Sequence, residues 1–341
     1  MKGSPTIQTR SASDRGGAGR HGPAPGPPES SDAVRPGTYR RRHDNMFRLL
    51  VRGSGILVLL LVIAVAAFLI SEAIPAIAAD RSNFLTTLAW DPDTQKIFGI
   101  AALAFGSVLT SVLALVMGVP VAVGVALFIS HYVPRRLAGT LAAVVDLLAA
   151  VPSVVFGLWG LVYLVPNLVP LSKFLNHNFS WIPLFAMNQQ IFGKSFFAAS
   201  IVLAVMVLPI VAAISREVFL QTPKEQMEAA LALGATKWEM VRMTVLPHGR
   251  SGVISAIVLG FGRAIGETIA VALVLSSVDK VSFHILEPAG NTIAANVANL
   301  FQDAGQIGRG ALIASGLVLF AITLVVNFGA RWIARGSREQ S

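Results

Sequence analysis

The sequence predicts an all-α, polytopic membrane protein with six transmembrane helices and both termini inside the cell. Three observations carry this. The 341 residues are 54% hydrophobic, with a mean hydropathy of +0.67, far from a soluble composition. Six apolar runs are each long enough to cross a bilayer at roughly 20 residues per crossing. Lys and Arg are also unevenly shared among the connections. With the N-terminus inside, 20 fall in inside segments and 6 in outside ones, with Arg263 within a span.

The first 45 residues are rich in Gly, Pro, Ser and Arg and lack apolar periodicity, so a disordered cytoplasmic tail is expected. The tail to Arg52 holds ten Lys/Arg against four Asp/Glu, most of the net charge of +9. That pattern suits an anionic lipid surface and is no nucleic-acid footprint. There are no cysteines, hence no disulfide framework and no thiolate site.

The first span is expected within 53–75. It follows a tail too long for a signal peptide, although Ala76-Ile77-Ala78 imitates a cleavage site. The remaining five, within 97–333, are expected at about 97–130, 137–165, 195–215, 251–276 and 310–333. The second contains Pro120 and is long enough to tilt or kink. Outside loops at 166–194 and 277–309 are long enough to form a docking rim; a short helix is expected near 294–301.

Between the fourth and fifth spans lies a charged cytoplasmic island, 216–250. Thr222-Pro223-Lys224-Glu225 reads as a capping box, and Gly234 as a left-handed stop. Thr236-Lys237-Trp238-Glu239 repeats the box and starts a second helix, with Pro247 just past its end. The island is therefore expected to be helix, glycine, helix. Ala229 and Ala230 would let another surface approach closely, with Glu228 leaving a charge at the contact.

Three ionisable residues fall within predicted spans: Asp146, Arg263 and Glu267. Each is costly there and should face a cavity or a partner. Arg263 and Glu267 are four apart, on one face of a helix, with Gly262 and Gly266 offering close packing beside them. A guanidinium in a low-dielectric route suits an oxyanion, because its fork binds two oxygens. A plain intramembrane ion pair is the alternative. Gly193-Lys194-Ser195 is not a P-loop, since position 188 is Asn188, and Gly260–Gly266 is mis-spaced for a dinucleotide motif. No metal or catalytic constellation is visible, so no enzymatic activity and no cofactor are expected.

Glu228-Ala229-Ala230, Gly234 and Thr244-Val245-Leu246-Pro247 together resemble the EAA loop of ABC importer permeases, with Thr244 where that family usually has Ile. The stretch Gly262-Arg263-Ala264-Ile265-Gly266-Glu267-Thr268 is similar to one in phosphate-specific ABC permeases. Asp146 to Gly160, ending Gly157-Leu158-Trp159-Gly160, looks like the PstC type. The resemblance covers about 97–332. It implies a type I ABC importer permease fold in a bacterial plasma membrane. It also implies a sister PstA-like permease, two PstB-like ATPases that dock on Glu228, Ala229, Ala230, Gly234, Leu246 and Pro247, and an external PstS-like phosphate-binding protein. By the same carry-over Arg263 and Glu267 lie on the phosphate route, Asp146 less firmly. A permease for phosphonate, sulfate or molybdate, and an ATP-independent secondary anion transporter, are the rival expectations.

Overall fold

The computed structural model describes residues 38–187, 193–278, 280–288 and 290–336. Most of the tail expected to be unstructured lies outside them. By packing the chain divides between Leu59 and Leu60. The N-terminal unit is the first half of helix α1, Thr38–Ala79, which takes in the last residues of that expected tail.

After α1, a two-residue antiparallel pair, β1 (Trp90–Asp91) and β2 (Ile97–Phe98), is the only sheet among the described residues. Then come α2 (Ala101–Leu127), α3 (Arg135–Ala149), α4 (Ser153–Trp159), α5 (Val165–Phe179) and α6 (Phe196–Leu220). They are followed by α7 (Lys224–Ala232), α8 (Lys237–Met240), α9 (Leu246–Ile265), α10 (Ile269–Val274), α11 (Ile293–Leu300) and α12 (Gln306–Gly336). Five helical stretches are long and apolar enough to cross a membrane: Met46–Ala79, Ala101–Tyr132, Ser153–Phe179, Phe196–Leu220 and Gln306–Ala330.

Two expected spans are not continuous helices. The stretch 137–165 breaks at Ala150–Pro152, because Pro152 supplies no backbone N–H and restricts Val151 before it. The apolar helix begins again at Ser153 and runs through a π-helical turn, Gly160–Leu164, into α5. The start of the expected outside loop at 166 is therefore helical, with Pro166 in the first turn of α5, where a proline is tolerated. The stretch 251–276 also breaks, at Gly266–Thr268, leaving α9 and the short α10.

Helix α6 is the centre. Its most apolar window is 61% buried, against 33% or less for every other candidate span. It packs along α2 and α9. Small residues set the distance to α9: a Cβ at Gly249 would come within 2.6 Å of the Phe219 ring, and one at Gly260 within 2.7 Å of Val207. The sequence reading assigned close packing to Gly262 and Gly266 instead. A Cβ at Gly262 would meet nothing within 4 Å, and one at Gly266 would meet only its own helix. That G-x-x-x-G lies on the open side of α9, and the small residues that set the packing, Gly249 and Gly260, come earlier in the same helix.

Candidate functional site

The charged island folds as two short helices about a glycine. Helix α7 ends where Gly234 takes φ +88°, a conformation L side chains rarely adopt. The Ala235 N–H then donates to Ala230 O (3.2 Å) and the Gly234 N–H to Leu231 O (3.0 Å), closing the helix end. The capping box at Thr236 is complete. Its backbone N–H donates to Glu239 Oε2 (2.8 Å), and the Glu239 N–H donates to Thr236 Oγ1 (3.3 Å). The Thr236 hydroxyl also donates to Glu239 Oε2 (2.8 Å), and these two donors, the backbone first and the hydroxyl second, hold the Glu239 carboxyl below its ordinary range.

The box expected at Thr222 does not form. Pro223 is the cap residue of α7 and makes no side-chain cap, while the buried Thr222 Oγ1 has no partner. The second helix also does not end before Pro247. It passes from α8 through a π-helical turn, Val241–Val245, directly into α9, with Pro247 in the first turn of α9. The wide turn accommodates a residue that has no N–H to offer the preceding carbonyl.

The faces of the hairpin follow from this. Ala230 is turned inward, in one cluster with Phe219, Met240, Val241 and Val245, so it is not part of an approachable surface as expected. Glu228 and Ala229 are exposed. Beside them in the chain are two apolar side chains that the motif reading passed over, Leu233 at 90% exposure and Trp238 at 55%. Their signal was present: large apolar residues on a charged loop, left exposed among the described residues. Leu246 is half-buried and Pro247 exposed, at the root of α9.

Arg263 lines a pocket of about 660 Å³ with Ile210 of α6, Ser255 and Leu259 of α9, and Asn327 of α12. Its Nε is buried without a hydrogen-bond partner. Glu267 does not pair with it; among the described residues no ion pair joins the two. Helix α9 stops at Ile265, so the four-residue spacing no longer means a shared face. The Glu267 carboxylate accepts from the Ala270 N–H (3.4 Å) at the start of α10. Asp146 lies elsewhere. It is on the exposed side of α3, outside the candidate spans, and pairs with Arg216 near the end of the α6 span (Nη2 to Oδ2, 3.5 Å), so it ties α3 to α6. The structure thus keeps Arg263 in a cavity and separates the other two from it.

Comparison with known proteins adds the lineage. The family described as binding-protein-dependent transport system inner membrane component matches residues 118–339. The phosphate transport system permease protein PstC 2 of Mycobacterium tuberculosis is 48% identical over 301 residues, covering 87% of this chain and 93% of that protein. PstC of Mycobacterium leprae is 49% identical, covering 80% and 86%, and PstC of Xylella fastidiosa 37% identical, covering 88% and 93%. Among solved structures, a bacterial ABC transporter that imports the acidic polysaccharide alginate superposes with a TM-score of 0.53 at 17% identity, covering 86% of this chain and 98% of that one. The fold is therefore that of a type I ABC importer permease, and the chain belongs to the binding-protein-dependent transport system inner membrane component family.

Proposed function

We propose that this chain is a permease subunit of an ATP-binding-cassette importer that moves inorganic phosphate into a bacterial cytoplasm. The observation that carries the reading is 48% identity to a phosphate permease, sustained over 87% of the chain. The Arg263 pocket gives it a chemical basis. A guanidinium with an unpaired edge, in a cavity walled mainly by apolar side chains, attracts an oxyanion strongly and offers two parallel donors to its oxygens. The absence of an adjacent counter-ion sharpens that attraction. Glu267 contributes by capping α10 rather than by neutralising Arg263.

The remaining roles follow from topology. Both termini and the 216–250 island are inside. Two ATPases, PstB-like, dock on the hairpin through Glu228 and Ala229, with Leu233 and Trp238 supplying apolar contact. A PstA-like sister permease completes the route, and a PstS-like binding protein delivers phosphate from outside. ATP-driven closure of the ATPases moves the hairpin, the inner gate closes, the outer gate opens, and phosphate passes to Arg263 before release inside.

The test is labelled-phosphate uptake and ATP hydrolysis by the complete importer in vesicles, wild type against Arg263→Gln, with sulfate and molybdate as competitors. The expected result is hydrolysis without uptake in the variant and little competition in the wild type. Unchanged uptake by the variant overturns the role of Arg263, and full competition by sulfate overturns the assignment of phosphate.

A further inference from the structure

At the inner end of the helices, where α6 hands over to α7, lies a second cavity of about 470 Å³. Ser130, His131 and Arg135 line it from the end of α2 and the start of α3, and Arg216, Thr222 and Lys224 from the end of α6 and the start of α7. Its lining carries three permanent cations, Arg135, Arg216 and Lys224, against one carboxylate, Glu217. Among the described residues, neither Arg135 nor Lys224 makes an ion pair. Arg216 is committed to Asp146 through Nη2 alone, and its Nη1 is buried without a partner. Thr222 is 3% exposed, and its hydroxyl also has no partner.

This arrangement is poor as plain structure. A buried hydroxyl and a buried guanidinium nitrogen without partners each cost stability, and unpaired cations around one cavity repel one another. An oxyanion relieves both penalties. It neutralises the cations and gives the donors an acceptor, in charge-assisted bonds that are about twice as strong as neutral ones. The local sequence contributes: Pro223 takes the cap position of α7, which releases the Thr222 hydroxyl from the capping role its spacing suggests.

We propose that this cavity is a cytoplasmic oxyanion site that regulates the hairpin, with a phosphate group as its ligand. Free inorganic phosphate and the phosphate of an anionic lipid headgroup share the necessary chemistry. Naming free phosphate as the product sensed on its arrival side rests on the function proposed above. The ligand bridges the end of α2 and the start of α3 to the elbow between α6 and α7. Binding therefore favours the arrangement in which the cavity is open, as here, and slows a cycle that must move the elbow. Import is thereby damped when cytoplasmic phosphate is high.

The experiment uses the complete importer in vesicles with the ATPases facing the bath, and the binding protein and labelled phosphate trapped inside. Bath phosphate is then cytoplasmic phosphate. Turnover is read as ADP production and as label released to the bath. Arg135→Gln and Thr222→Val are compared with wild type, in phosphatidylcholine vesicles and in vesicles with phosphatidylglycerol added. Thr222→Val keeps the shape of the side chain, so a merely structural role predicts no loss. The expected result is slowing by bath phosphate, with the midpoint raised about tenfold in each variant, the size of one lost charge-assisted hydrogen bond. A slowing that depends on phosphatidylglycerol instead, and disappears in both variants, upholds the site and assigns it to lipid. Slowing that is identical in wild type and variants comes from the ATPases and overturns the proposal, as does no slowing by either source. Failure of the transport reading is separate: no label then crosses at any bath concentration.

Discussion

The hairpin and the Arg263 pocket solve opposite problems. The hairpin spans Lys224–Met240, and the turn at its middle is closed by its own atoms. Gly234 turns one helix off, and Thr236 and Glu239 start the next by exchanging hydrogen bonds over three residues. The pocket draws its walls from α6, α9 and α12, and its central group keeps an unpaired nitrogen. A turn that satisfies its own polar groups holds its shape. A site with an open valence is ready for a ligand. Under the proposed function, the difference separates a surface that receives force from a cavity that receives charge.

The comparison breaks most sharply at Arg263. Arg263→Gln should reduce phosphate uptake by about a hundredfold, the loss of two charge-assisted hydrogen bonds, while the ATPases still co-purify with the hairpin. Loss of both properties would mean that the two regions are not separable. Glu228→Lys should act in the opposite sense, weakening ATPase capture about tenfold while membrane insertion stays normal; unaltered capture would remove Glu228 from the contact. Gly234→Ala forces a Cβ into left-handed backbone and should cost about 1 kcal/mol, read as faster amide exchange in 230–240.

Two smaller effects sharpen the contrast. Gly260→Ala should lower thermal stability because its Cβ meets Val207, whereas Gly262→Ala should leave it unchanged. A melting curve of each variant is sufficient. The mildest effect is acid sensitivity of the second cap. The Glu239 carboxyl is held low in the folded state, so its contribution is fully present above the unfolded carboxylate pKa. It is lost as pH falls through the depressed folded value. Glu239→Gln should abolish that portion of the pH dependence of amide exchange in 236–240.

What could be read from sequence was what depends on neighbours in the chain. Gly234 and the Thr236–Glu239 box are local and were legible. So was the short helix near 294–301, found at Ile293–Leu300. The box at Thr222 has the same letters but fails, because Thr222 is buried at the end of α6 and Pro223 becomes the cap. Pro152 was visible, but an apolar stretch on both sides concealed that it divides two helices. Arg263 was legible as a costly charge that needed a cavity. Its separation from Glu267 was not, because four-residue spacing implies a shared face only while the helix continues, and α9 stops between them. Leu233 and Trp238 were overlooked because the motif drew attention to its own letters.

The uninterrupted path from Lys237 into α9 has a mechanical consequence. Helix α9 alone has 20 residues, about 30 Å at 1.5 Å per residue, and carries Arg263 near its far end. Under the proposed function it is a connecting rod with its handle at the hairpin. A twist applied at α8 would then travel along hydrogen-bonded turns to the guanidinium without a relay of side chains, through the wide turn at Val241–Val245, the one departure from α-helical geometry on that path. How much of such a stroke reached the charge would depend on how that five-residue turn bends as well as on the pocket.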